Sequence, residues 1–437
     1  MNDLLTPQPS ITIQSNAAYV LDLCARIAAL TDIPGTITRT YLSAATRAVH
    51  TLLREQMQAL GMTVRVDAAG NLRGLYPAAT PGAPVLLLGS HIDTVPDSGP
   101  YDGILGVALP IALLHALNGR RLPYAIELIA FSEEEGIRFK LPFIGSRALI
   151  GSLGPPELSR TDAAGITVAD AIRNFGLSPN DLANALLTPD TFAFLEVHIE
   201  QGPVLESLGL PLGIVTSIVG QSRLGLTFHG EANHAGTTPM SFRKDALAAA
   251  AHWIAEVEAY PGQLGDPALL ATVGTIHAFP GAANVIPGAV AVSLDLRHPS
   301  DAARLHALEA LKLKAGQCAA SRGVGVTTVD RGGQASVPMN PALREALAAA
   351  AAGFAPHPMP SGAGHDAMIL ATKVPTAMLF LRTPRGLSHH PAESVLAPDI
   401  DAALTTCLRF LNSLQPPPID VLLTPGKSAC TKNGATF

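Results

Sequence analysis

Histidine and carboxylate side chains recur in this sequence at or near the ends of apolar runs. The set consists of His91, Asp93, Asp102, Glu133, Glu134, Glu135, His198, His389 and His390. Imidazole and carboxylate together are ligands that Zn²⁺, Mn²⁺ and Co²⁺ accept in proteins. Because the set supplies more ligands than one ion can use, the sequence predicts metal chemistry with more than one divalent ion.

Spacing gives each candidate a chemical role and an ordinary alternative. His91 and Asp93 lie two residues apart at a strand end, so both side chains point the same way. This predicts a His91 ligand whose ring is held by the Asp93 carboxylate. Taken alone, such a pair is more often a simple hydrogen bond. Asp102, before Gly103, is either a turn residue or a carboxylate that two ions share.

Three adjacent glutamates near an apolar strand end repel one another unless cations lie nearby. Glu135 is therefore a candidate ligand, while Glu134, which points elsewhere, is a candidate general base that takes a proton from water. His198, in an alternating strand, is either a core histidine or a ligand. His389 and His390 are adjacent, so at most one of them faces a given site, and both also fit a proline-containing surface loop.

Hydrophobic periodicity predicts an α/β fold. Apolar runs at Val85–Leu88 and Ala125–Phe131 read as strands covered on both faces, with a buried helix at Ile104–Leu117 between them. This is a doubly wound pattern, in which ligands gather beyond the carboxyl ends of the strands. After about Gly213 the pattern changes to two helices and about four strands, which is typical of an α+β sandwich.

We therefore predict a doubly wound catalytic domain interrupted by an inserted α+β domain. The predicted segments are 1–217 and 331–413 for the catalytic domain, 218–330 for the inserted lid or dimerisation domain, and 414–437 for a flexible tail.

Composition excludes several classes of protein. The 437-residue chain has 48% hydrophobic residues and a net charge of -6, with no basic, aromatic-rich stretch, which argues against nucleic acid binding. The longest apolar stretch, 103–117, is too short to cross a membrane. The N-terminus lacks the features of a signal peptide, so we expect a cytoplasmic enzyme. The four cysteines are expected to be buried free thiols.

Seven ordered stretches together resemble one family. They read GSHIDTVPDSGPYDG, FSEEEGIRF, EVHIEQGPVLE, NHAGTTPM, NVIPG, SGAGHDAM and LSHHPAES. Over about residues 16–413 the chain resembles the dinuclear metal amidohydrolases of the aminoacylase/carboxypeptidase superfamily, in the branch that acts on N-carbamoyl and ureido compounds. The resemblance implies two divalent ions per subunit, Zn²⁺ or Mn²⁺, and a homodimer formed through the inserted domain.

The resemblance also implies roles for individual residues. One ion is expected on His91, Asp102 and His198, and the other on Asp102, Glu135 and His389. His389 is preferred to His390 because the ligand in this family precedes a glutamate by four residues, as His389 precedes Glu393. Glu134 matches the general base of the family.

The implied substrate residues lie mostly in the inserted segment. They are Gln221, His234, Asn284 and Arg297, followed by Gly364 and His365. His234 matches a residue that stabilises the oxyanion from the partner subunit. Arg297 is suited to clamp a substrate carboxylate, although a salt bridge to Asp295 or Asp301 is an equal alternative from the sequence.

Within this branch the motifs favour cleavage of allantoate, with release of ammonia and carbon dioxide, and Arg382 is a candidate contact for the second ureido arm. The alternatives are hydrolysis of N-carbamoyl-L-amino acids or of ureidopropionate. Two readings from other classes are a metal-independent serine hydrolase using Ser361 or Ser388, which lacks a GxSxG motif, and a non-catalytic binding module.

Overall fold

The computed structural model describes residues 14–419 and residue 422. The strands are β1 Thr63–Val66, β2 Leu72–Tyr76, β3 Val85–His91, β4 Ala125–Phe131, β5 Thr191–Ile199, β6 Leu212–Ile218, β7 Gly220–His229, β8 Asn233–His234, β9 Leu270–Thr272, β10 Ile276–Phe279, β11 Val285–Ile286, β12 Ala289–His298, β13 Gly325–Gln334, β14 Val337–Pro338, β15 His357–Ser361 and β16 Thr376–Leu381. The helices are α1 Gln14–Ala28, α2 Ala44–Ala59, α3 Leu105–Leu117, α4 Ile144–Leu149, α5 Pro155–Leu158, α6 Val168–Asn174, α7 Val204–Leu208, α8 Ala246–Leu264, α9 Asp301–Ala320, α10 Pro341–Ala350, α11 Asp366–Leu370 and α12 Ala397–Ser413.

The chain divides into two compact units. The first contains the described residues up to Thr216, the segment Met339–Met359 and the described residues from His365 onward. The second contains Ser217–Pro338 and the short loop Pro360–Gly364. The predicted insertion, 218–330, falls inside the longer segment of this second unit, and most of the predicted tail lies outside the described residues.

The first unit is built on a mixed sheet whose central strands are parallel. β3 pairs in parallel with β4 and β5, and β5 pairs in parallel with β16. All residues of these four strands are buried, which fits their apolar composition. Helices α1, α3 and α12 share one hydrophobic core with these strands. The predicted α/β fold is therefore confirmed.

Parallel strands deliver the polar residues to one edge of this sheet. β3 ends at His91, β4 ends two residues before Glu133, and β5 carries His198 one residue before its end. Because the carboxyl ends of parallel strands lie at the same edge, side chains from distant parts of the sequence meet there.

Strand β2, which the sequence pattern did not predict, holds a charged residue inside the protein. Arg73, in the middle of β2, is 1% exposed, and its Nε and Nη2 atoms donate to the two carboxylate oxygens of Glu127 at 2.8 Å each. Nη1 donates to the carbonyl of Ala185 at 2.7 Å. The pattern failed here because a buried ion pair interrupts the apolar run.

The second unit has helices on one face of an antiparallel sheet. Its strand order is β10-β12-β7-β13, with β9 also paired to β12. Residues of β12 alternate between buried and half-buried, as expected for a sheet with one covered face. Trp253 of α8 is fully buried and donates from Nε1 to the carbonyl of Leu311 in α9 at 2.9 Å. The apolar stretch 269–279 forms two short strands, β9 and β10.

Three described cysteines, Cys24, Cys318 and Cys407, are buried free thiols, whereas Cys430 lies outside the described residues. Among the described residues, no helix combines the length and apolar composition needed to cross a bilayer.

Replacing Arg73 by Met should strongly destabilise the first unit, because Glu127 would stay buried without its partner. We expect a loss of about 3–5 kcal/mol in the free energy of unfolding, measured by urea denaturation with circular dichroism. Arg26→Met, which removes an exposed pair with Asp22, is the control and should cost at most about 1 kcal/mol. Equal effects of the two changes would contradict this account of β2.

Candidate metal centre

His91 and His198 present the same ring nitrogen to one carboxylate. The Nδ1 atom of His91 lies 3.0 Å from the carbonyl oxygen of Asp93, and Nδ1 of His198 lies 2.9 Å from that of Ile199. A carbonyl only accepts, so in the neutral rings the hydrogen sits on Nδ1 and the lone pair on Nε2. These Nε2 atoms lie 3.6 Å and 3.2 Å from Oδ1 of Asp102.

Asp102 is buried at the centre of a cluster formed with His91, His198, Glu135 and His389. Its second carboxylate oxygen faces the third of these histidines, His389. Nε2 of His389 lies 3.0 Å from Oδ2 of Asp102 and 3.4 Å from Oε1 of Glu135. Burial alone would raise the pKa of Asp102, but contacts with His198, His389 and His91 hold this pKa well below its usual range. Asp102 therefore favours its ionised form.

Gly103 is required directly after Asp102. It has a φ of +69°, and a Cβ atom there would come within 2.5 Å of the His91 ring. Only glycine adopts this conformation without strain and leaves room for the imidazole.

Two of the three adjacent glutamates reach the cluster, and the third supports the backbone. Glu133 accepts hydrogen bonds from the backbone N–H groups of Tyr41 (3.1 Å) and Arg138 (2.8 Å). Glu134 and Glu135 lie with His91 in one group of possible ligands. Burial raises the pKa of Glu134 well above its ordinary value, and the nearby His91 opposes that rise.

The predicted role of the Asp93 carboxylate is wrong in its detail. The ring of His91 is held by the backbone carbonyl of Asp93, while Oδ1 of that carboxylate lies 3.7 Å from Nδ1. The carboxylate instead accepts from the backbone N–H groups of Glu134 at 2.9 Å and Glu135 at 3.0 Å. It takes this position because the loop after β4 offers two adjacent donors, whereas the carbonyl already occupies Nδ1.

The described residues that could bind a metal ion form four overlapping groups. These are His91–Asp102–His198, Asp102–Glu135–His389, His91–Glu134–Glu135 and Glu196–His198–His365. The residues predicted as ligands are thus brought together by the fold.

The arrangement fits divalent cations. Oδ1 of Asp102 is buried without a hydrogen-bond donor among the described residues, and it lies 3.6 Å and 3.2 Å from the Nε2 atoms of His91 and His198. A buried carboxylate oxygen without a donor is unfavourable unless a positive charge lies beside it. Imidazole and carboxylate donors are also the set that Zn²⁺ and Mn²⁺ bind.

His365 lies against a histidine of the cluster, whereas His390 makes a contact within its own loop. The buried His365 ring lies 4.5 Å from the ring of His198, and burial, followed by the charge of His198, lowers its pKa well below the usual value. His390 uses Nδ1 to accept the N–H of Ala392 at 3.0 Å, so it supports its own loop.

Three further residues support the cluster and were not predicted to do so. Glu393 accepts from the backbone N–H groups of Tyr101 (2.8 Å) and Asp102 (3.0 Å). Gln201 and Ser388 donate to Oδ2 of Asp102 at 3.1 Å and 3.2 Å. The four-residue spacing between His389 and Glu393 was a usable signal for Glu393, whereas no local pattern marks Gln201.

Gln221, His234, Asn284, Arg297 and Gly364 all lie in the second unit. Nδ1 of His234 accepts the N–H of Gly236 at 3.0 Å, which leaves the ring hydrogen on the exposed Nε2. The carbonyl of Asn284 accepts the N–H of Ala235 at 2.9 Å, so Asn284 lies beside the His234 segment.

Two arginines named from the sequence are paired with carboxylates. Arg382 donates from Nε and Nη2 to the two oxygens of Asp399, in the first turn of α12, at 2.8 Å and 2.7 Å. These contacts support a structural role for Arg382, and its contact with a second ureido arm stays a prediction. Arg297 forms the alternative salt bridge to Asp295, with Nε 2.8 Å from Oδ1.

Comparison with known proteins places the chain in a family. The sequence model of Peptidase family M20/M25/M40 matches residues 87–413, so the chain belongs to this family. The resemblance and the hydrolase class predicted from the sequence are therefore confirmed.

Its relatives carry two kinds of name. The chain is 41% identical over 364 residues to the N-carbamoyl-L-amino acid amidohydrolase of Geobacillus stearothermophilus, covering 82% of this chain and 88% of the relative. It is 37% identical over 419 residues to allantoate deiminase 2 of Glycine max, covering 88% and 87%. A hydantoinase/carbamoylase family amidase from Burkholderia multivorans has a similar structure, with a TM-score of 0.84, 32% identity and coverage of 90% and 97%.

Replacing Asp93 by Asn should weaken metal binding while the fold is kept. An asparagine has one acceptor oxygen, so one of the N–H groups of Glu134 and Glu135 loses its acceptor. We expect the affinity for Zn²⁺ to fall about 10–100-fold, measured by competition with a chromophoric chelator. Asp97→Asn, an exposed change of equal charge in the same loop, should leave it unchanged. If both variants bind zinc alike, the carboxylate of Asp93 does not position the ligands.

Proposed function

We propose that this chain is a metal-dependent amidohydrolase that cleaves a ureido C–N bond in a small carboxylate, and that its substrate is allantoate. The convergence of His91, Asp102, Glu135, His198 and His389, with Glu134 beside them, carries this proposal. The motifs named above favour allantoate, and relatives named allantoate deiminase or allantoate amidohydrolase support it. N-carbamoyl-L-amino acids are the second candidate, because the relative from Geobacillus stearothermophilus is named for them. Ureidopropionate is the third candidate substrate.

The site is proposed to hold two divalent ions, Zn²⁺ or Mn²⁺. His91, Asp102 and His198 would hold one ion, and Asp102, Glu135 and His389 would hold the other. Such ions, when bound, polarise a carbonyl group and lower the pKa of water.

Glu134 is proposed as the general base. It is buried and its pKa is raised, which suits a group that accepts a proton from the attacking water and then delivers it to the leaving nitrogen. Ser388, the alternative nucleophile, has its hydroxyl 3.2 Å from Asp102 and 3.1 Å from Glu393, so these contacts support a structural role and not a nucleophilic one.

The second unit is proposed to bind the substrate and to form a homodimer. His234 would donate from Nε2 to the oxyanion of a site in the partner subunit. Arg297, Gln221 and Asn284 would bind the substrate carboxylate, and the loop with Gly364 would allow close approach of the substrate to the backbone. Buried free thiols in the described part of the chain support a reducing, cytoplasmic location.

A substrate panel tests the proposed activity. Protein reconstituted with Zn²⁺ or Mn²⁺ should release ammonia from allantoate faster than it hydrolyses N-carbamoyl-L-methionine at equal concentration. A metal chelator should abolish the activity, and a serine-directed reagent should not, because the water is activated without a serine nucleophile. Faster hydrolysis of N-carbamoyl-L-methionine would select the second candidate. No hydrolysis of any ureido compound by the metal-loaded protein would reject the proposed function.

Two inactive variants test the roles of Glu134 and His234 together. Glu134→Gln should retain its metal and lose about 10²–10⁴-fold in turnover, because the general base is removed. His234→Ala should also lose turnover, since the oxyanion has no donor.

If His234 acts on the partner's site, mixed dimers contain one intact site. Dissociating and reassociating equal amounts of the two variants should then restore about a quarter of the wild-type activity, since half of the dimers are mixed. Each variant treated alone is the control. Failure of a dimeric mixture to regain activity would contradict a role for His234 across the interface.

A further inference from the structure

Two of the three residues proposed to bind the substrate carboxylate, Arg297 and Gln221, face each other across a strand pair. Arg297 of β12 lies directly opposite Gln221 of β7 in the antiparallel register. Asp295 lies two residues before Arg297, so its side chain emerges on the same face of the sheet. Its own cross-strand partner is Arg223. The carboxylate of Asp295 is thus surrounded by three side chains that can donate hydrogen bonds, those of Arg297, Gln221 and Arg223.

Asp295 contacts both Arg297 and Gln221. Its Oδ1 accepts from Nε of Arg297 at 2.8 Å, and its Oδ2 accepts from Nε2 of Gln221 at 2.5 Å. Nη2 of Arg297 lies 3.4 Å from the same Oδ2, and Nε of Arg223 lies 3.5 Å from it. Asp295 therefore fixes the orientation of the guanidinium and of the amide together.

The contacts of Arg297 with described residues use three of its five N–H donors. Asp295 accepts from Nε and Nη2, and the carbonyl of Gly362 accepts from Nη1 at 2.8 Å. Each Nη atom carries a second hydrogen that can donate to a substrate carboxylate, the group that guanidinium binds best. The side chain of Arg297 is 36% exposed, so a ligand can reach it.

We propose that Asp295 is a positioning residue that presets Arg297 and Gln221 for a single substrate carboxylate. This inference rests on the proposed function. Asp295 neutralises one of the two guanidinium groups that contact it, Arg297 and Arg223, so these three side chains together carry one net positive charge. That charge matches a monocarboxylate and gives no comparable binding to a substrate whose carboxylate is replaced by a neutral carboxamide.

The experiment compares Asp295→Asn with the wild type on two matched substrates. One is a ureido carboxylate that the wild type hydrolyses, and the other is the same compound as a primary carboxamide. Asparagine keeps the size of the side chain but offers one acceptor and two donors, so it cannot hold both partners. We expect KM for the carboxylate to rise about 10–100-fold with kcat within about threefold, because binding and not the chemical step is affected.

The carboxamide separates a positioning role from a structural one. Its kcat/KM, low in the wild type, should change less than about twofold in Asp295→Asn, because it makes no charged contact with Arg297. Glu231→Gln is the matched control, since it removes one negative charge from an exposed pair with Lys244 in the same unit. It should leave KM for both substrates unchanged.

Two results would overturn the assignment of Asp295 alone. These are an equal loss of kcat/KM on both substrates, which would indicate a structural role, and an unchanged KM for the carboxylate. A wild type that hydrolyses neither substrate after metal loading would instead reject the proposed function, and the assignment with it.

Discussion

Buried carboxylates that accept backbone N–H groups hold the metal centre together. Asp93 takes the amides of Glu134 and Glu135, and Glu393 takes those of Tyr101 and Asp102. A carboxylate offers about four lone-pair sites, so one side chain can fix two successive peptide groups. Burial raises the pKa of Asp93, and that of Glu393 to about 7, while the backbone N–H groups that each accepts oppose the rise. Without such acceptors these loops would leave buried amides unpaired, which is costly, and the ligand side chains would lose their common direction.

Three residues of this region have backbone conformations that most residues avoid. Glu133, Gln201 and His389 have φ values of +52°, +60° and +56°, although none is glycine. Such conformations cost on the order of 1–3 kcal/mol each and persist only where the surroundings fix them. Gln201 shows how: its backbone N–H donates to Thr383 at 3.0 Å, and its side chain donates to Asp102. Hydrogen bonds of this kind hold Gln201 in a conformation that its side chain needs in order to reach Asp102.

The two units carry different chemistry. The first unit contains the candidate metal-binding groups and Glu134, which lie at strand ends and in loops that buried acids support. The second contains the polar face around Asp295, with Arg297 and Gln221 on adjacent strands. Relatives of this chain bear names of both allantoate and N-carbamoyl amino acid hydrolases. Both compounds contain a ureido group and a carboxylate, so one metal centre and one carboxylate clamp would serve either. Specificity for allantoate or for an N-carbamoyl amino acid must then come from contacts with the rest of the substrate, beyond its ureido group and carboxylate.

The sequence by itself determined the parts of this protein that local pattern encodes. Apolar runs predicted β3 and β4, and polar residues at their ends predicted the convergence of His91 and Glu135, because parallel strands end at one edge. Tertiary structure alone decided which partner each buried charge received. Arg73 lies in a strand because Glu127 is across the sheet, and Arg382 is held by Asp399. These partners are distant in sequence, and electrostatic pairing depends on distance in space, which periodicity along the chain does not contain.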